Sequence, residues 1–230
     1  MDRKKPECRY LPVTEIRREF QDTWSYFLSF PDTSDPTTTF VPGQYIHLVA
    51  PNAPVSKPTV RHMSIASIPE DGHLRLAMSL ASRSPYKQAF RRLKPGDTLG
   101  VFGVSGTFTL QTLTPGTPLI FIAGGIGITP IMSLIRHIAA GSLDHPWKLL
   151  HVANTPLFKN EIADIFPDHP RLYCNRSGID SSLETLLPSP QPTNQHYFIS
   201  GSNSFLHALT SRMVARGITP ATIHTVDFDH

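Results

Sequence analysis

The chain has 230 residues, 40% of them apolar, and carries 21 basic against 18 acidic side chains for a net charge of +3. That apolar content excludes a disordered chain, the 22 prolines are scattered rather than gathered into a linker, and the length allows one large or two compact domains at ~100–200 residues each. So small a net charge argues against nucleic acid as the main partner, and the two cysteines, Cys8 and Cys174, make neither a disulfide framework nor a metal site.

An intracellular, cytoplasmic setting is therefore expected. The polar start, Met1 to Cys8, has no apolar run behind it and is not expected to be a secretory signal. One uncharged stretch, Pro118 to Ile135, has a membrane-like composition. Gly124, Gly125, Gly127 and Pro130 interrupt it where a strand would hand over to a helix, so no membrane span is expected.

The first half reads as short strands rich in aromatic and β-branched residues: 24–30, 45–49, 60–65, 74–80 and 98–102. Turn signals at Pro31-Asp32, Pro42-Gly43, Asp71-Gly72 and Pro95-Gly96-Asp97 separate them, which suggests an antiparallel barrel or sandwich. One helix is expected over 85–93, with Ser84 as N-cap and Pro85 in the first helical position.

From about Leu113–Pro118 the rhythm changes. Leu119–Ala123 and Leu149–Ala153 are unbroken apolar runs, as in strands buried on both faces; 172–174, 197–199 and 222–228 continue the series. Helical stretches lie between them, the clearest over 205–216, with Phe205, Leu206, Leu209, Met213 and Val214 on one face and Gly217 as its stop. Alternation of this kind implies a doubly wound parallel sheet. The expected architecture is a β barrel over residues 1–114 followed by an α/β domain over 115–230.

Three segments carry chemistry. Gly124-Gly125-Ile-Gly127-Ile-Thr129-Pro130 ends a buried strand and opens a helix, with Thr129 expected as N-cap. Glycines there let backbone N–H groups approach an anion such as a dinucleotide pyrophosphate, although a ligand-free tight turn fits the same residues. Arg61-His62-Met63-Ser64, with Ser67 beyond it, is read as an arginine and two hydroxyls on one strand face. It suits a phosphate and a polar ring edge, or simply a solvated strand. Ser84-Pro85-Tyr86-Lys87 offers a hydroxyl and an ammonium at a helix start, for a second phosphate or as a plain capped surface helix.

In order, Phe40-x-Pro42-Gly43-Gln44-Tyr45, Arg61-x-x-Ser64, Leu93-x-Pro95-Gly96-Asp97 and Gly103-x-x-Gly106-x-Phe108 resemble the flavin domain of the ferredoxin–NADP reductase superfamily. The turn Gly124-Gly125-x-Gly127-x-Thr129-Pro130 and the ending Tyr197-x-x-Ser200-Gly201 through Gly217, Ile223-His224 and Phe228 resemble its nicotinamide domain. Ser84-x-Tyr86-Lys87 is similar to the stand-alone bacterial flavin reductases of that superfamily.

The resemblance implies a flavin-dependent NAD(P)H oxidoreductase with FAD, and NADH or NADPH, as cofactors. It implies that Arg61 pairs with the flavin diphosphate and that Ser64 bonds the flavin edge near N5, with His62, Met63, Met78 and Ser79 around it. Ser84 and Lys87 would take remaining phosphate charge. Gly124, Gly125, Gly127 and Thr129 would bind the nicotinamide dinucleotide, with Ser200 and Gly201 at the nicotinamide end and Phe228 as a ring cover. Ser64 and Ser200 are the candidates nearest the hydride path. No general acid or base is required, since the cofactor carries the redox chemistry.

The pattern departs from the family at three places. Met63 stands where an aromatic residue usually stacks on the flavin; Ser200-Gly201-Ser202 replaces Cys-Gly-Pro; and Gly103-Val104 lacks a proline. No arginine follows the second α/β strand around His151–Pro156, although Lys159 lies nearby, so NADH is the favoured donor. Two cysteines cannot hold an iron–sulfur cluster, which leaves the electron acceptor, a small redox protein or small molecule, outside the chain. Arg83, Lys87, Arg91, Arg92 and Lys94 form a basic stretch, either a meeting place for an acidic partner or a solvated helix face. A non-catalytic flavin-binding module, an electron-transfer subunit, and a reductase of ferric complexes or free flavin share the same pattern.

Overall fold

The computed structural model describes residues 7–30, 39–141, 144–187 and 194–227. Alternation in the first half pleats into β1 (Arg9–Phe20), β2 (Thr23–Ser29), β3 (Tyr45–Val49), β4 (Val60–Ser64), β5 (His73–Ser79) and β6 (Thr98–Ser105). All pair antiparallel in the order β4-β3-β6-β1-β2-β5. Just past β4, Ile65 bridges Leu76 of β5 and the Ala66 N–H donates to the Arg75 carbonyl at 2.8 Å, which draws the ends of that order together as a barrel. Every strand expected in this half is present. The strand missed is β1, whose alternation is blurred by Pro12, by charged residues from Glu15 to Glu19, and by register shifts at Val13/Glu15 and Arg18/Phe20.

The barrel core gathers Tyr26, Leu28, Ile46, Leu48, Leu74, Leu76 and Val101, with Tyr86 and Phe90 of α1 (Pro85–Phe90) packed into it. Ser84 caps α1 as expected, its Oγ accepting from the Lys87 N–H at 3.4 Å. The helix ends before the expected Leu93.

The second half builds a five-stranded parallel sheet of β7 (Leu119–Gly124), β8 (Trp147–Val152), β9 (Arg171–Cys174), β10 (His196–Gly201) and β11 (Ile223–Asp227), in the order β11-β10-β7-β8-β9. Four helices connect them: α2 (Ile128–Ala139), α3 (Lys159–Ile165), α4 (Ile179–Leu186) and α5 (Asn203–Ala215). The chain leaves β7 toward β8 and β9, then returns to β10 on β7's other side. Right-handed crossovers therefore put α2 and α3 on one face and α4 and α5 on the other. An Arg136–Glu161 ion pair at 3.3 Å ties α2 to α3. On the opposite face Ile120, Ile122, Leu150 and Ile199 pack with Leu183 of α4 and Leu206, Leu209 and Met213 of α5.

Two sequence expectations need correction. Val214 is exposed, because it turns away from the Leu206–Leu209–Met213 stripe. Thr129 is not the N-cap of α2: a short 3₁₀ turn, Gly125–Gly127, leads into the helix, and Thr129 lies in its first turn. The chain forms two compact units that divide between Thr107 and Phe108, and Phe108 packs edge-on against Phe198 within the second, with ring centroids 5.1 Å apart. Phe228 lies outside the described residues. Among the described residues no helix is long and apolar enough to cross a membrane, and Pro118–Ile135 resolves into strand, turn and helix.

Candidate functional site

In the barrel unit the candidates centre on β4. Pairing with β3 sets Arg61 opposite Leu48 and Met63 opposite Ile46, whereas His62 and Ser64 fall opposite His47 and Tyr45. A period of two places residues three apart on opposite faces, so Arg61 and Ser64 do not share a face as the sequence reading had them. Arg61 lies with its guanidinium carbon 5.1 Å from the centroid of the Tyr86 ring, and its Nη1 donates to the Val60 carbonyl at 2.7 Å. Tyr86 is itself pinned, its hydroxyl donating to the Leu48 carbonyl at 3.1 Å. Burial drives the Tyr86 hydroxyl pKa up, and the nearby Arg61 charge opposes that shift. The second residue of α1 thus orients the arginine expected to meet a diphosphate, a role the sequence motif did not reveal.

Lys87 is half-buried, and burial lowers its ammonium pKa. Ser64 is buried, and Met63 packs its half-buried side chain against the barrel core. Met78 is 4% exposed inside that core; neighbouring Ser79 is half-buried at the end of β5. His62 belongs to an aromatic group on the other face, stacked on Tyr45 at 4.7 Å and edge-on to His47 at 4.3 Å. The basic stretch is not one uniform patch: Arg91 is engaged by Asp22 at 3.0 Å and the Leu80 carbonyl at 2.7 Å, while Arg83, Arg92 and Lys94 are exposed.

In the α/β unit the candidates converge where β7 and β10 end, the switch point at which open α/β sheets bind ligands. The glycines there divide by role. A Cβ on Gly127 would lie 2.3 Å from the Ser200 carbonyl oxygen, and Cβ atoms on Gly124 and Gly201 would lie 2.9 and 2.7 Å from the Phe205 ring. These three glycines permit close packing of turn, strand and helix. Gly125 differs: its φ is +56°, it is exposed, and a Cβ there would meet nothing within 4 Å. It is the one glycine of the turn that opens onto space a ligand can fill.

Two side chains hold this turn from beneath. The Thr129 hydroxyl donates to the Ile126 carbonyl at 2.7 Å, and His151 of β8 bonds the Gly125 carbonyl through Nε2 at 2.8 Å. His151 is 0% exposed, and burial lowers its pKa to about 4. A lone histidine within the apolar run Leu149–Val152 was the available sequence signal. Ser200 is 0% exposed, and its Oγ is buried without a hydrogen-bond partner. Tyr173 of β9 lies beside His151, with ring centroids 6.3 Å apart, and Lys159 Nζ sits 5.1 Å from the Tyr173 ring centroid. No acidic residue lies in the first turn of α2, so nothing there opposes an anion. Among the described residues no cluster of three or more His, Cys, Asp or Glu is placed to hold a metal ion.

An antiparallel barrel followed by a doubly wound parallel sheet, with a glycine turn at its switch point, is the two-domain architecture of the ferredoxin–NADP reductase superfamily. The chain's relatives and structural neighbours match that superfamily. It is 25% identical over 242 residues to a flavohemoprotein of Oceanobacillus iheyensis, covering 94% of this chain and 58% of that protein. A ferredoxin–NADP reductase B of Sorangium cellulosum is 37% identical over 125 residues, 53% of this chain and 50% of the relative. The fold superposes with a TM-score of 0.79 on a ferredoxin NADP+ reductase from Neisseria gonorrhoeae solved with bound FAD and NADP, at 15% identity, over 96% of this chain and 99% of that one. No family model matches the sequence. The chain spans about three fifths of the length of the flavohemoprotein it resembles.

Proposed function

We propose that the protein is a flavin-dependent NAD(P)H oxidoreductase that passes a hydride from a nicotinamide nucleotide to FAD and electrons onward to an external acceptor. The observation that carries this reading is the glycine turn. Gly124 and Gly127 are sealed by packing, while Gly125 opens at the start of a twelve-residue helix with no acidic first turn. That is a cradle for a pyrophosphate. In the barrel unit the residues fit FAD: a guanidinium fixed against Tyr86, with the hydroxyl of Ser84 and the ammonium of Lys87 on the adjoining helix start.

Bound flavin supplies hydride acceptance and one- or two-electron release, chemistry that no side chain provides. The chain's own work is alignment and charge. Arg61 and Lys87 neutralise phosphate, Ser64 offers a hydrogen bond at the flavin edge, and Met63 packs against the ring in place of an aromatic stack, a contact typically worth ~0.3–1.5 kcal/mol. Gly125 and the α2 start take the dinucleotide. NADH is the favoured donor, because no arginine stands in the segment His151–Pro156 that ends β8, where Lys159, lying over Tyr173, is the substitute for a 2′-phosphate. The setting is cytoplasmic and the acceptor a small redox protein or small molecule; a ferric complex or free flavin is among the candidates.

The burial of Ser200, whose hydroxyl reaches no partner, together with Met63, favours one second reading: an electron-transfer subunit or flavin-binding module that does not turn over alone. The visible spectrum separates the two. The purified protein is expected to be yellow and to bleach within seconds when NADH or NADPH is added without oxygen. A yellow protein left oxidised by both nucleotides refutes the reductase, and a colourless one that will not take up FAD refutes both readings. Arg61→Ala is expected to weaken FAD retention at least tenfold; unchanged affinity would show the diphosphate to be misplaced.

A further inference from the structure

Beyond the residues that would touch a nucleotide, one fully buried side chain is tied to the turn that would hold it. His151 stands among Leu149, Leu150 and Val152 on a central strand, and its ring Nε2 lies 2.8 Å from the Gly125 carbonyl. A carbonyl only accepts, so the proton is on Nε2; the other nitrogen, Nδ1, is buried with no hydrogen-bond partner. A buried polar atom without a partner costs free energy that an apolar ring of similar size would not. The Gly125 bond is what the imidazole provides in return.

That bond has a directional consequence. In a planar trans peptide the carbonyl and the following N–H point opposite ways. Holding the Gly125 carbonyl toward β8 therefore turns the Ile126 N–H away from β8, and Gly125 itself is exposed. Gly125 sits at φ +56°, and glycine crosses freely between backbone basins, so this peptide plane is the one in the turn most in need of a restraint. The next plane has its own: the Thr129 hydroxyl on the Ile126 carbonyl at 2.7 Å.

We propose that His151 is a positioning residue for the nicotinamide dinucleotide, fixing the Gly125–Ile126 peptide so that the Ile126 N–H is presented to the pyrophosphate. This rests on the reading of the protein as an NAD(P)H oxidoreductase. A neutral ring is required, and burial keeps it neutral, with the pKa near 4.

The test uses FAD-loaded protein and two variants. His151→Phe fills the space without a donor; His151→Gln restores an N–H at similar reach. Dissociation constants for NAD+ and NADP+ are measured by titration calorimetry, turnover with NADH by ferricyanide reduction, and the tautomer of His151 in the wild type by 15N chemical shifts. The expected result is about tenfold weaker nucleotide binding and a matching rise in KM for His151→Phe, with kcat within about twofold and FAD content unchanged. His151→Gln should return to within about threefold of wild type, and the wild-type ring should carry its proton on Nε2. His151→Phe binding nucleotide as tightly as wild type, or a proton on Nδ1, overturns the proposal. A proton on Nδ1 does so even where His151→Phe does not fold. A wild type that binds neither NAD+ nor NADP+ instead refutes the functional reading on which the proposal stands.

Discussion

Replacing Gly127 by alanine places a methyl carbon 2.3 Å from the Ser200 carbonyl oxygen and 2.6 Å from its carbon. An ordinary contact begins near 3.4 Å, so the α2 start or β10 must retreat by about 1 Å. Neither can do so cheaply: β10 is hydrogen-bonded on both sides, to β7 and β11, and the first turn of α2 is buried throughout. Overpacking of this kind costs about 1–3 kcal/mol, and with backbone as the obstacle the upper end, about 3 kcal/mol, is expected. Gly125→Ala is the control. Its methyl enters open space and pays only the left-handed backbone cost of about 1 kcal/mol. Trp147 lies buried in the same sheet, and with Trp24 replaced by Phe its fluorescence reports urea unfolding of the α/β unit alone. Gly127→Ala within about 0.5 kcal/mol of its parent, or less destabilising than Gly125→Ala, would refute the division of roles among the glycines.

Acid should loosen the α/β unit through His151. Its folded pKa is lowered from 6.5 to about 4, so between those values the unfolded chain binds the proton and the folded one does not. Stability is then complete above pH 6.5 and falls as the pH drops, by about 2 kcal/mol at pH 5. Urea midpoints for wild type and His151→Phe over that range check it: the variant's pH slope should be shallower but not flat, because His169, His196 and His224 shift in the same direction. In the barrel unit Glu19→Ala removes the carboxylate 3.0 Å from Arg75, whose side chain is 3% exposed, and is expected to cost about 3 kcal/mol in a urea titration. A loss below about 1 kcal/mol would show that Glu19 contributes no more than a surface pair.

Much of the fold was legible because the two hydrophobic rhythms are local properties. The alternation of Tyr45–Val49 and the unbroken run Leu119–Ala123 each name their kind of sheet without tertiary information. The arrangement β1 adopts was not legible, since its polar residues satisfy the strand only through bulged pairing with β2 and a separate partnership with β6. Of the candidate site, the glycine turn and the Ser84 cap follow from residue type and spacing. The supports do not. His151 is 26 residues from Gly125, and Tyr86 is 38 from the Leu48 carbonyl it bonds, so neither partnership exists until the strands are in register. Residues that make contact with a ligand leave motifs; residues that aim them leave only a polar letter in an apolar run.

The place of β6 in the barrel carries a consequence for how this unit is assembled. β6 lies between β3 and β1, and it is also the last strand of the barrel to be synthesised. Before Thr98–Ser105 is available the earlier strands form two ladders, β3 with β4 and β1 with β2 and β5, joined at one end by the Ile65–Leu76 bridge and the Ala66–Arg75 hydrogen bond. Closure therefore waits on pairings such as Arg9 with Val101, among the most distant in the sequence, and those are slow because the intervening loop must close first. In the α/β unit β7 and β8 pair across a single helix, and only the return of β10 to β7, such as His196 to Leu119, spans a comparable distance. A nascent chain halted before Thr98 would hold strands without a barrel, and the edges of β3 and β1 that await β6 would be the ones most open to pairing with another chain.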